Sequence, residues 1–152
     1  MRLDKLKVAN ILKELGIMLE ISGENPFKIR AYENAAKIIE KLPDDLEELV
    51  YTRELIKIEG IGQAISKKIA TIIETGNLPK LDEVKSSIPS GLLRMLDIPP
   101  LTPRKINLLW QKLGITTLEE LKKACHENKV IGLRGFNKED QEKMLNTIEK
   151  MK

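Results

Sequence analysis

The chain has 152 residues, 41% apolar and 32% charged, which is enough for a core in one domain or two lobes of roughly 70 to 80 residues and excludes a disordered chain. A net charge of only +3, from 26 basic and 23 acidic side chains, does not by itself imply a nucleic-acid partner, so the distribution of charge must be read along the chain. One cysteine, Cys125, and one histidine, His126, exclude an intramolecular disulfide and argue against a zinc site.

Aromatic residues make up 3% of the chain while Leu, Ile, Lys and Glu abound, a balance that favours helices over sheet. No apolar run approaches the ~20 residues of a membrane span, and Met1-Arg2-Leu3-Asp4 leads directly into an amphipathic stretch, so a soluble, intracellular, cytoplasmic protein without signal peptide or anchor is expected. Leu3 to Ile21 reads as one long helix with Leu6, Ile11, Leu15 and Met18 on its inner face and Gly23 beyond its end. Asn25-Pro26 opens a second helix, Asn as cap and Pro in the first turn. It should bury Ala31, Ala35, Ile38, Ile39 and Leu42 and stop before Pro43. Asp44 is expected to cap a short helix through Leu49, and Thr52 to open another turn, with Tyr51 packed locally. A strong helix follows from Gln63 to Thr75, ended by Gly76, with Ile65, Ile69, Ile72 and Ile73 inward. Pro89-Ser90-Gly91 reads as a joint between two lobes. Beyond it come a short helix from Leu92 to Leu96, a rigid turn at Pro99 to Pro103, and a helix from Arg104 to Leu113 closed by Gly114. Thr117 then caps Leu118 to His126, with Glu120 completing a capping box. Gly132 to Asn137 form a further turn, and Asn137 caps a last helix from Lys138 to Met151. Cys125 reads as a packed thiol beside a solvated His126, and Trp110 as partly buried packing. The fold class is all-α: two small helical lobes, residues 1–87 and 89–152.

Three segments repeat one pattern, apolar residues and a tight turn about a central apolar residue, followed by a helix. They are Leu55-Ile56-Lys57-Ile58-Glu59-Gly60-Ile61-Gly62, Leu96-Asp97-Ile98-Pro99-Pro100-Leu101-Thr102 and Ile131-Gly132-Leu133-Arg134-Gly135-Phe136-Asn137. In the first, a helix-hairpin-helix over about residues 52–75, Gly60 can take angles closed to other residues and Gly62 lets a phosphate approach the main chain. Amides around Gly62, Gln63 and Ala64 then sit at a helix N-terminus, where orphan donors and the helix dipole favour an anion. Such a site positions a backbone phosphate without reading a base. The second turn has Pro100 and Thr102 in place of glycines and is expected to be stiffer, though Arg104 and Lys105 could still reach a phosphate. The third keeps Gly135 and carries Asn137, and it could serve only to build its lobe.

Asn25-Pro26-Phe27-Lys28-Ile29-Arg30-Ala31-Tyr32, Gly60-Ile61-Gly62, Lys67-Lys68-Ile69 and Glu74-Thr75-Gly76 together resemble the N-terminal lyase domain of family X DNA polymerases, the bacterial and archaeal members most closely. The likeness continues through Ile115-Thr116-Thr117-Leu118-Glu119-Glu120-Leu121 and Leu133-Arg134-Gly135-Phe136, as in the fingers subdomain that follows. The palm with its metal-binding aspartates has no counterpart in these residues, so no polymerase activity is expected of this chain alone. The resemblance implies binding of gapped, nicked or junction DNA in repair, by a nucleoid-associated monomer, with a polymerase or other repair protein as partner and no membrane. It also implies a possible abasic-site lyase, with Lys68 at the position of the Schiff-base nucleophile, Lys28 and Tyr32 in support, and Lys67 and Lys80 as further basic residues. A lysine is a nucleophile only as the neutral amine, a form that neighbouring cations favour. Ala64 stands where some members carry a phosphate-contacting lysine, and Phe27 replaces a polar group. No cofactor is required, but the resemblance implies a monovalent cation, Na+ or K+, on the main-chain carbonyls of Ile56, Ile58 and Ile61. Three functions therefore stand open: backbone binding, lyase chemistry at Lys68, and an interaction module that has kept the fold without binding DNA.

Overall fold

A computed structural model describes residues 5–151, and the described residues contain helices and turns but no strand. They form two compact units, one of residues up to Glu20 with Glu24–Ser86, the other of Ile21–Gly23 with residues from Ser87 onward.

In the first unit, helix α1 (Lys5–Ile21) buries Val8, Leu12, Leu15 and Leu19, steps of four, three and four residues that keep one stripe inward. Leu6, expected in that stripe, lies one step off it and is 53% exposed; Leu3 falls outside the described residues. Helix α2 (Pro26–Lys41) starts as anticipated, the Asn25 side chain accepting from the Phe27 N–H at 2.8 Å. Its inner face is rotated from the expected one. Ile29, Tyr32, Ala35, Ala36 and Ile39 are buried, whereas Ala31, Ile38 and Leu42 are half-buried. Tyr32, which was not expected on this face, is thus among its buried side chains, and Leu42 is not.

Helix α3 (Leu46–Tyr51) is capped by Asp45, not Asp44: its carboxylate accepts from the Glu47 N–H at 3.0 Å. Thr52 closes this helix instead of opening another, its amide and hydroxyl both donating to the Glu48 carbonyl at 2.9 and 3.0 Å. Tyr51, expected to pack, is 89% exposed. Helix α4 (Gln63–Thr75) buries Ile65, Ile69 and Ile72 and ends at Gly76 in the left-handed region. Burial of each such isoleucine stabilises the unit by about 1.5–3 kcal/mol. Helix α5 (Pro79–Ser86), which the residue pattern did not announce, adds Leu81 and Val84 to the core.

The second unit begins where a joint was anticipated. Pro89 caps and Ser90-Gly91 start helix α6 (Ser90–Arg94), and a short 3-10 turn over Met95–Asp97 follows in place of a helix to Leu96. A Cβ on Gly91 would lie 2.1 Å from the Thr116 carbonyl oxygen, so glycine here permits contact between two main chains. Helices α7 (Pro103–Leu113), α8 (Leu118–His126) and α9 (Lys138–Lys150) stand at the expected places, with Met151 as the C-cap of the last. Thr117 accepts from the Glu120 N–H at 3.0 Å. The Glu120 carboxylate returns to the Thr116 amide and hydroxyl at 3.1 and 2.9 Å, one residue before the cap, and these bonds hold it below the usual glutamate range. Burial pushes the Cys125 thiol up to about 11, leaving it an inert core group, while His126 is exposed. Trp110 is half-buried.

Candidate nucleic-acid interface

The three sequence repeats share one pattern of backbone hydrogen bonds, although the second alone has a cis peptide bond, between Pro99 and Pro100. In the first, the Ile58 amide donates to Leu55, the Ile61 amide to Ile58, and the Ser66 amide to Gly62, at 3.1, 3.1 and 2.9 Å. In the second, Ile98 donates to Met95, Leu101 to Ile98 and Ile106 to Thr102, at 3.1, 2.8 and 2.9 Å. In the third, Leu133 donates to Val130, Phe136 to Leu133 and Gln141 to Asn137, at 3.0, 3.2 and 3.1 Å. Each staircase buries its central residue, Ile61, Leu101 or Phe136, and delivers the chain to the start of a helix. Gly60 and Gly135 both sit at φ +94°, a left-handed angle that favours glycine.

What differs is the cap. Thr102 accepts from the Lys105 N–H at 3.2 Å, and Pro103 has no N–H, so the second turn keeps few free donors. Asn137 accepts from the Asp140 N–H at 2.8 Å, and Glu139 and Asp140 complement the dipole of α9. At α4 the cap is Gly62, which has no side chain to offer, and the first turn holds no acid. Among the described residues, nothing accepts from the amides of Gly62, Gln63, Ala64 or Ile65. By contrast α2, α7, α8 and α9 each have a side-chain cap. The start of α4 is thus a cluster of unshared donors at the positive end of a 13-residue dipole.

Gly60 and Gly62 serve this geometry differently. A Cβ at Gly60 would fall 2.4 Å from Ile38 Cδ1, so Gly60 shapes the turn against α2. Gly62 has extended angles and nothing within 4 Å of where a Cβ would stand. Its lack of a side chain leaves the amides open.

Beside these amides Gln63, Ala64, Lys67, Lys68 and Thr71 line an open groove of about 500 Å³. Lys67 is exposed; Lys68 is half-buried, with its Nζ 5.9 Å from the centroid of the buried Tyr32 ring. α2 and α4 therefore bring Tyr32 and Lys68 together. Lys28 is exposed one turn before Tyr32 and does not line the groove, and Lys80 faces Glu83 at 3.7 Å. Exposed Phe27, also on α2, carries the Arg30 guanidinium 5.0 Å from its ring centroid. Thr71 is a lining residue that the turn motif gave no reason to single out. Arg104 and Lys105 lie in the second unit, where they line a different groove. Among the described residues no cluster of His, Cys, Asp and Glu could hold a metal ion, and no helix is long and apolar enough to cross a membrane.

A model of the helix-hairpin-helix domain matches residues 4–78. The chain is also 33% identical over 144 residues to the DNA polymerase/3'-5' exonuclease PolX of Bacillus subtilis (strain 168). That match takes in 95% of this chain and 25% of the relative, so the chain spans a quarter of the longer protein. The nine described helices and these matches agree: the described residues are all-α, residues 4–78 match the helix-hairpin-helix domain, and nearly the whole chain is similar to a quarter of a PolX protein.

Proposed function

We propose that this chain binds DNA without sequence preference in a repair setting, gripping a backbone phosphate at the start of α4 and favouring gapped, nicked or junction DNA. The observation that carries this is the set of unshared amides from Gly62 to Ile65 beside Lys67 and Lys68, with no acid in the first turn. A phosphate oxygen satisfies those donors and the dipole at once, and the lysines add charge without touching a base. The main-chain carbonyls of Ile56, Ile58 and Ile61 would hold a monovalent cation. Among the described residues the Ile56 and Ile61 oxygens accept no hydrogen bond, and Ile58 accepts one at 3.1 Å, leaving a lone pair. Such a cation would supply positive charge at the turn, adding to the attraction for an anion. Fluorescence anisotropy with a labelled gapped duplex tests the binding claim. Affinity should fall about tenfold or more between 50 and 200 mM salt, as expected for several neutralised phosphates. Salt-independent binding, or none, would sink it.

A second reading, abasic-site lyase activity, is favoured by the half-buried Lys68, which lines this groove and whose amine lies 5.9 Å from the centroid of the buried Tyr32 ring behind it. The Lys68 amine would add to the C1′ aldehyde of a ring-opened abasic sugar and water would leave, giving a Schiff base. Loss of a C2′ proton would then expel the 3′ oxygen and break the strand. Borohydride should trap a covalent adduct with abasic DNA. Lys68→Ala should abolish the adduct, and Tyr32→Phe, which keeps the ring, should preserve it. No adduct at high protein concentration removes the lyase and leaves the binding proposal standing.

A further inference from the structure

A second groove, of about 500 Å³, lies within the second unit where the second and third hairpins face each other. Its walls carry Arg104, Lys105, Lys112 and Arg134, and its floor includes Leu108 and Leu133. No acidic residue lines it, and among the described residues none of the four cations forms an ion pair. The Lys105 amine rests 5.5 Å from the Phe136 ring centroid, which leaves Arg104, Lys112 and Arg134 at the rim. The surface is thus an apolar slot ringed by uncompensated positive charge.

Two occupants suit positive charge, a nucleic-acid strand and an acidic polypeptide, and the details separate them. A strand needs phosphate donors and stacking faces. Here the amide of Lys105 is taken by Thr102, that of Asp140 by Asn137, and Pro103 has none. The floor offers leucines, not an exposed aromatic face, since Phe136 is 8% exposed and covered by Lys105. Leucines take apolar side chains, and guanidinium groups at the edge pair with carboxylates in two-point fashion.

We propose that this groove receives a short acidic segment of a partner protein, seating two apolar side chains on Leu108 and Leu133 with flanking carboxylates on Arg104, Lys112 and Arg134. The proposal is independent of the phosphate site at Gly62.

The test is selection of a displayed library of random dodecapeptides on the full chain. The expected consensus holds two apolar residues flanked by Asp or Glu. Selected peptides should shift the methyl resonances of Leu108 and Leu133. Lys112→Glu/Arg134→Glu should weaken them about tenfold or more, and Lys122→Glu/Lys123→Glu, the same charge change on exposed α8 positions, should leave them within about twofold. Circular dichroism melting of both variants separates lost affinity from lost fold. A neutral or basic consensus, equal losses in the two double variants, or no enrichment overturns the proposal. So does displacement by oligothymidylate that itself shifts Leu108 and Leu133, which would make the occupant a nucleic-acid strand.

Discussion

Gly62→Asp is expected to abolish DNA binding while leaving the first unit as stable as before, or slightly more so. The position has φ −83° and ψ 174°, angles open to any residue, and a Cβ there meets nothing within 4 Å. Aspartate is a favourable N-cap, and its carboxylate would accept from the amide of Ala64 or Ile65, gaining a few tenths of a kcal/mol over glycine. That carboxylate would occupy both the donors and the place of the phosphate, adding like-charge repulsion. Affinity for a gapped duplex should therefore drop roughly 100-fold, about 2.7 kcal/mol, with the melting midpoint unchanged or raised by ~1–2 °C. Anisotropy titration and thermal melting of one sample read both quantities. Wild-type affinity in a folded Gly62→Asp protein would place the phosphate elsewhere. Gly60 is a poorer probe, because its φ of +94° and the 2.4 Å approach to Ile38 would strain the turn itself.

Gly91→Ala should have the largest effect on folding. The added methyl would stand 2.1 Å from the Thr116 carbonyl oxygen and 2.9 Å from the Thr117 Cα, and main-chain atoms cannot rotate aside as a side chain can. α6 would have to separate from the start of α8, disturbing a core that contains Leu92, Met95 and Leu121, none of them more than 0% exposed. A loss of about 3–5 kcal/mol is expected, a large part of the stability of a domain this size. Urea unfolding followed by the fluorescence of Trp110, the sole tryptophan and part of the second unit, measures it. A midpoint equal to wild type would show that α6 and Thr116 do not meet so closely.

The helices with chemical punctuation were legible in the sequence. Asn25-Pro26, Thr117 with Glu120, Asn137 and the stops at Gly76 and Gly114 all mark real ends. These signals act within one turn, so no tertiary information is needed to read them. Where two neighbours offered the same chemistry the sequence could not choose. Asp44 and Asp45 are both good caps, and only the path of the chain decides that Asp45 reaches the Glu47 amide. The inner face of α2 was misplaced because small alanines mark no side, and Tyr32 won that face by packing. Pro79–Ser86 escaped notice because Leu81 and Val84 alone face inward in a polar octet. The approach of Gly91 to the Thr116 main chain was not legible, because a glycine's neighbour across space is invisible in one dimension. At the candidate site, the turn and its glycines were readable from spacing. The contact of Lys68 with Tyr32 and the grouping of Arg104, Lys112 and Arg134 depend on how separate segments pack.

The threefold staircase has a consequence for how such proteins change. Because equivalent hydrogen-bonded steps end in Gly62, Thr102 or Asn137, the residue at that single place determines whether the polypeptide seals its own helix or leaves a socket for an outside anion. Anchoring points can therefore be switched on or retired along a chain of repeats by exchanging one small residue, with the scaffold untouched.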